Sequence, residues 1–368
     1  MLTLFRHAVE AASGSEGFPL PRPHASLCRL ATGRSALLHL IQRLPSSCAK
    51  TILLPAYVAE GVIQPFRAAG FEIVFYRLQP DLRPNVEDVS TLLQQAGAQA
   101  IMMLIHYFGF PARSEALSSV LSRHDAIVVD DLAHAPFTVV NGSLLGEGAD
   151  LALYSLNKFL PVVDGAILLS RRADIDVAID EAALPELPDG AQAAYRDHLQ
   201  AAAELSACDD PAQARQALQV LGATYERYYA VINGDLSPHR QSAASRQAEA
   251  SFPYRPLIEQ RQANSRILYE GLKSNAFTLV YPKLPAGAVP FCVPARVAAE
   301  RRDEILECLF ARGILLSTLQ DKWDFIPADR QAHFAVESAF LREHVLIPVS
   351  EFISADAMWY IVEQLNLI

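Results

Sequence analysis

Short, nearly continuous apolar runs alternate with helix-period segments over the first half of the chain. The helical pattern opens at 35–44, where Leu37, Leu38, Ile41 and Leu44 share one face. Apolar runs at 51–55, 72–78, 100–106 and 126–132 predict strands. Between them, 59–69, 85–96 and 114–124 predict helices, with Asn85 as a cap and Asp88 at the capping-box position. Strands alternating with helices of this length predict βαβ units and a parallel or mostly parallel sheet. The unbroken apolar character of the strands predicts a sheet covered on both faces. Two further strands, 151–155 and 166–170, are separated by only ten residues, 156–165. That is short for a helical crossover, so the second is expected to run antiparallel to the first. Residues 1–30 carry proline, lack a period and read as an irregular arm.

The pattern changes at 173–250, where alanine, glutamine and charge dominate. Several helices are expected there, either as a solvated insert or as a lid or dimer element. Pro253-Tyr-Arg-Pro256 reads as a boundary. A long helix over 257–272 then leads into an α+β region. Its expected strands are 278–281, 291–293 and 345–349, and its expected helices 299–312 and 355–365. The expected division is a large domain, 1–250, carrying the helical segment 173–250, and a small C-terminal domain, 251–368.

Length and composition narrow the functional classes. A chain of 368 residues exceeds one compact core, which supports two domains. A formal net charge of −10 argues against nucleic acid or an anionic membrane as the main partner. Five scattered cysteines, without a C-x-x-C pair, point away from zinc and towards a reducing cytoplasm. No signal-peptide pattern opens the chain, and the apolar run at 100–110 is too short for a bilayer.

Three stretches carry candidate chemistry. Lys158 follows the apolar strand at 151–155 and precedes apolar Phe159-Leu-Pro-Val-Val163. A lysine at a strand end is compatible with simple solvation, but in an apolar pocket it becomes an amine nucleophile. Asp130 and Asp131 end the strand at 126–132. Such a pair suits capping, solvation or metal, and one carboxylate also suits a pyridine nitrogen. A lysine and an aspartate delivered to one sheet edge fit pyridoxal 5'-phosphate (PLP), the lysine as a Schiff base and the aspartate at the ring nitrogen. Thr32-Gly33-Arg34-Ser35 precedes a helix and suits either ordinary capping or a phosphate. The absence of GxGxxG and P-loop patterns counts against NAD and ATP.

Six motifs in order carry a family resemblance. They are Thr32-Gly-Arg-Ser-Ala-Leu37, Leu54-Pro-Ala-Tyr57, His106-Tyr-Phe-Gly109, Val129-Asp-Asp-Leu-Ala-His-Ala135, Ser155-Leu-Asn-Lys158 and Asp164-Gly-Ala-Ile167. Together, with 27 positions between Asp131 and Lys158, they resemble the DegT–StrS group of PLP-dependent fold-type I aminotransferases. That group acts mostly on nucleotide-linked keto-sugars. The resemblance implies an α/β fold, with a mostly parallel seven-stranded sheet between helices and a smaller C-terminal α+β domain. It implies PLP bound at Lys158 and Asp131, with Thr32, Gly33, Arg34, Ser155 and Asn157 nearby. It places His134 beside the ring or its 3-hydroxyl, and Tyr57 near a stacking position. Both also read as core residues.

The same resemblance implies an amino donor such as glutamate or glutamine, a keto-sugar acceptor and a homodimer. Arg240 and Trp323 stand as candidate substrate contacts. Three departures bear on the substrate. Leu153 occupies the family's usual serine position, Asp164-Gly165 replaces a glycine pair, and Pro238-His-Arg240 lacks the asparagine of an Asn-x-Arg segment. A PLP enzyme acting on a non-sugar substrate, and a non-catalytic binding protein of the same fold, remain open on the sequence.

Overall fold

The structure is a computed structural model that describes residues 1–2, 17–97, 99–319, 326 and 328–368. Seven strands form its main sheet: β1 (Ser26–Leu30), β2 (Thr51–Pro55), β3 (Glu72–Tyr76), β4 (Ile101–Ile105), β5 (Ile127–Asp131), β8 (Leu151–Ser155) and β9 (Ala166–Ser170). A two-stranded hairpin, β6 (Val139–Val140) and β7 (Ser143–Leu144), lies between β5 and β8 in the chain. The order in the sheet is β1-β9-β8-β5-β4-β2-β3. From β3 to β8 every pairing is parallel. As the short connection requires, β9 runs antiparallel to β8. All five residues of β4, Ile-Met-Met-Leu-Ile, are buried, as a strand covered on both faces requires.

Helices α1 (Gly33–Arg43), α2 (Glu60–Ala68), α3 (Val86–Ala96) and α4 (Glu115–Arg123) occupy the predicted connections. Asn85 caps α3 by accepting the Asp88 N–H at 3.0 Å. The Asp88 carboxylate does not return to the cap. It binds the Arg77 backbone N–H and guanidinium instead. The reading of 1–30 as an irregular arm is corrected at 26–30, which form edge strand β1 against β9. Only Cys28 and Leu30 of that strand are fully buried and Arg29 interrupts it, so its apolar signal is weak.

The segment 173–250 contains α5 (Gly190–Ser206), α6 (Pro211–Asn233) and α7 (Ala243–Ser251). Asp210 caps α6 through the Gln213 N–H, and Pro211 occupies its first turn. Next, α8 (Tyr254–Gly271) leads to an antiparallel sheet of β10 (Thr278–Leu279), β11 (Cys292–Arg296) and β12 (His344–Pro348). Helices α9 (Arg302–Ala311), α10 (Ala335–Glu343) and α11 (Ala355–Asn366) complete this α+β region. Of these, α10 was not expected from the hydrophobic pattern.

One buried cation ties α8 to both sheets. Arg261 is 1% exposed, lies 2.5 Å from the Glu351 carboxylate and donates to the carbonyls of Pro290 and Phe291. Its guanidinium also lies 4.9 Å from the ring centroid of Phe159, the residue after Lys158. Removing one partner of a buried ion pair leaves the other charge uncompensated. Glu351→Gln is therefore expected to lower stability by about 3 kcal/mol in urea unfolding; an unchanged midpoint would contradict this reading.

Candidate active site

Strands β5 and β8 are hydrogen-bonded neighbours, with Asp131 in register with Leu153. Asp131 is the last residue of β5, and Lys158 closes the short 3-10 turn Leu156–Lys158 after β8. Parallel pairing thus delivers both to the same edge of the sheet. Asp131 is 7% exposed, and its Oδ1 accepts the Ala133 N–H at 2.9 Å. Burial pushes this carboxyl above its ordinary range, against the Ala133 hydrogen bond and the influence of His106 and Lys158.

Asp130 points to the opposite face, as strand alternation demands. It is clamped by Arg113 at 2.6 Å, with His106 Nε2 3.3 Å from its other oxygen. The Ala112 N–H donates to His106 Nδ1 at 3.2 Å, so the ring proton belongs on Nε2, facing Asp130. Burial again pushes the Asp130 carboxyl up, but His106 and Arg113 outweigh it and hold the group below its ordinary range. Two adjacent aspartates therefore occupy electrostatically opposite environments.

His134 is buried between two rings, Phe108 at 5.7 Å and Phe291 at 4.8 Å, nearly parallel to both. Burial, and then the nearby Lys158 charge, push its imidazole down to about 3, so it is neutral at physiological pH. Phe108 has φ +56°, a left-handed conformation that costs energy in a bulky residue. The next residue, Gly109, has φ +98°, and a Cβ there would lie 2.6 Å from the Val289 carbonyl oxygen. The strained turn after β4 is thus pressed onto the 289–291 segment that supplies Phe291. Tyr57 is fully buried, packed against Tyr107, Phe340 and His344.

At the start of α1, Thr32 Oγ1 accepts the Ser35 N–H at 3.1 Å and shares a hydrogen bond with the Ser35 hydroxyl. A Cβ on Gly33 would stand 3.9 Å from Leu153 Cδ2, which sets this first turn beside β8. Ser155 Oγ donates to Asn157 Oδ1 at 2.9 Å, and Asn157 Nδ2 donates to the Tyr228 hydroxyl at 3.1 Å. Tyr228 in turn donates to the Val163 carbonyl. Arg34 donates to the Tyr229 hydroxyl at 2.9 Å and lies over its ring. Helix α6 therefore holds two of the expected site residues, which sequence reasoning missed. The signal was present, because Tyr225, Tyr228 and Tyr229 have the i, i+3, i+4 spacing of one helix face.

The Asp164-Gly165 departure has a structural explanation. Gly165 has φ +130°, and a Cβ would lie 2.9 Å from Leu156 Cδ1. Asp164 is 2% exposed and accepts from both the backbone N–H and the hydroxyl of Ser242, the cap of α7. Arg240 pairs with Glu186 at 3.2 Å and donates its backbone N–H to the Pro185 carbonyl. The structure gives its guanidinium no contact with Asp131 or Lys158 among the described residues. Trp323 lies outside the described residues.

The donor set suits PLP. A lysine and a buried carboxylate reach the same sheet edge, and the burial of the carboxylate calls for a cationic partner. The first turn of α1 offers the N–H groups that an α-helix leaves outside its own ladder. Residues 28–176 match the model of the DegT/DnrJ/EryC1/StrS aminotransferase family. A curated relative, dTDP-4-dehydro-2,3,6-trideoxy-D-glucose 4-aminotransferase of Saccharopolyspora spinosa, is 24% identical over 294 residues, 78% of this chain and 70% of the relative. A Streptococcus pneumoniae structure assigned as a sugar aminotransferase, in its PLP form, aligns with TM-score 0.66 and 14% identity. The alignment covers 94% of this chain and 87% of that one. A sugar aminotransferase from Micromonospora echinospora aligns with TM-score 0.60 and 17% identity, covering 93% and 87%. The chain shares the fold of these solved aminotransferase structures.

The two aspartates predict opposite stability effects in the cofactor-free protein. Asp130 has a depressed folded value, so its contribution is present above the unfolded value and lost as pH falls through the folded one. Asp130→Asn should cost about 2 kcal/mol or more at neutral pH. Asp131 has a raised folded value, so its cost appears as pH rises above the unfolded value and is complete above the folded one. Asp131→Asn should therefore be at least as stable as the parent protein at neutral pH. Urea unfolding of both variants checks the pair, and a larger loss for Asp131→Asn would reverse the assignment.

Proposed function

We propose that this chain, whose residues 28–176 match the DegT/DnrJ/EryC1/StrS aminotransferase family, transfers an amino group from glutamate or glutamine to a keto-sugar. The acceptor is read as nucleotide-linked. The observation that supports this most is the delivery of Asp131 and Lys158 to one sheet edge, close enough for the Lys158 charge to act on the buried Asp131 carboxyl. The activities of the similar proteins support the sugar class. We read the working form as a cytoplasmic homodimer with a large domain of 1–250 and a small domain of 251–368. Its five cysteines are free, and no described helix is long and apolar enough to cross a membrane.

Bound at this edge, PLP supplies an aldehyde for an amine and a protonated ring that draws electrons from the carbon bearing the amino group. Lys158 would provide the amine that holds the cofactor and, when free, would serve as the base and acid that moves the proton of the donor's α-carbon. Asp131 would hold the ring nitrogen, since a pyridinium N–H would give the buried carboxylate the cationic partner that its surroundings call for. The backbone N–H groups of Gly33 and Arg34 would take the phosphate, joined by the Ser155 hydroxyl once it turns its proton from Asn157 Oδ1 to that anion. Asn157 holds Ser155 in place and is itself held by Tyr228. Neutral His134, with its faces covered by Phe108 and Phe291, would meet the ring or its 3-hydroxyl only by its edge, without adding charge.

Purified protein incubated with PLP is expected to develop the visible band of a lysine-tethered cofactor, and glutamate or glutamine should discharge it. Lys158→Ala should lack the band and lose about 10²–10⁴-fold in transamination rate, the usual share of a positioned acid–base group. A Lys158→Ala protein with full activity would overturn the proposal. Keto-sugars assayed beside simple keto acids decide the acceptor class.

A further inference from the structure

Among the described residues, Arg34 and Arg261 are both buried, and they are treated differently. Arg261 has a carboxylate and two carbonyls around it. Arg34 is 8% exposed, yet its guanidinium donates to the neutral Tyr229 hydroxyl. Its Nε is buried without a hydrogen-bond partner, and among the described residues it forms no ion pair. A buried guanidinium with no counter-charge is costly, because one neutral hydroxyl and a ring replace only part of the water it has lost.

Its neighbours add to the positive potential. Arg34 sits in the first turn of α1, and its guanidinium lies over Gly61 in the first turn of α2. A Cβ at Gly61 would stand 2.8 Å from the guanidinium carbon, so glycine leaves room for the side chain there. The N-terminal turn of α2 and the guanidinium thus lie together. The ring of Tyr229, stacked on Tyr225, supports the cation 4.8 Å from its centroid and leaves Nε available.

The contacts of this side chain are with α2 and α6, whereas the cofactor groups proposed above lie on β5, β8 and the α1 backbone. We infer that the Arg34 guanidinium, held by Tyr229 and Gly61, is the receptor for an oxyanion carried by a substrate, either a diphosphate on the acceptor or a carboxylate on the donor. This deepens the proposed function and rests on it for the identity of the substrates. It also gives helix α6 a role at the site, since Tyr229 sets the receptor while Tyr228 holds Asn157.

Calorimetric titration of the PLP-loaded protein with inorganic phosphate and, separately, with glutarate tests the site. The parent protein is expected to bind at least one probe. Arg34→Gln should weaken that binding by about tenfold or more, the loss carried by a charge-assisted hydrogen bond. Arg34→Lys should fall between the two, and it keeps the test decisive if the glutamine variant does not fold. The probe that loses affinity identifies the source of the oxyanion. Failure of the parent to bind either probe, or undiminished binding by the variants, overturns the inference. So does a tenfold loss of PLP affinity in Arg34→Gln, which would assign the side chain to the cofactor phosphate. If the parent shows no lysine-tethered PLP, the same titrations on cofactor-free protein still read the oxyanion site. The aminotransferase reading then falls while the site stands or fails by itself.

Discussion

A carboxylate buried at the end of one strand, beside a lysine delivered by the next, is the constraint on which the rest of the site depends. Asp131 resists ionisation in its pocket, and the electrostatic relief it receives comes from the Ala133 N–H, His106 and Lys158. Folding therefore carries a cost at this position that a cationic ring nitrogen would offset. Parallel pairing of β5 with β8 makes the meeting possible, because both strands then end at the same edge. The antiparallel β9 returns at once and places Gly165 against the lysine-bearing turn, while Asp164 ties the same return to the cap of α7.

The opposite treatment of Asp130 shows how one dipeptide serves two ends. Its clamp by Arg113 and His106 fixes β5 to the segment after β4 from the face away from Lys158. That segment in turn contains the strained Phe108 and the close-packed Gly109, which meet residues 289–291 beside β11. A continuous set of contacts thus runs from the carboxylate pair through Phe108, His134 and Phe291 to Arg261 under Phe159. Polar clamps set the strand ends, and aromatic stacking sets the walls.

Much of this was legible in the sequence because it is local. The runs at 51–55, 100–106 and 126–132 declare buried strands, and the ten residues before Ala166 declare a reversal. Asp131 and Lys158 stand out because both terminate such runs. Edge strand β1 was hidden by its small share of fully buried positions, and α10 by its short length and a buried face that includes polar Glu337 and Ser338. The Arg34–Tyr229 and Asn157–Tyr228 contacts span 195 and 71 positions, and no periodicity reports a pairing of that range. Only the tyrosine spacing within α6 hinted at one helix face with a purpose. Arg240 shows the converse, since a motif-like position is tied to Glu186.

The most direct test is chemical. Borohydride reduction of the PLP-loaded protein, followed by peptide mapping, should place the cofactor on Lys158 alone, and Asp131→Asn should sharply reduce the labelling at a limiting PLP concentration. Labelling on another lysine, or labelling indifferent to Asp131, would contradict the assignment of these two residues to one cofactor.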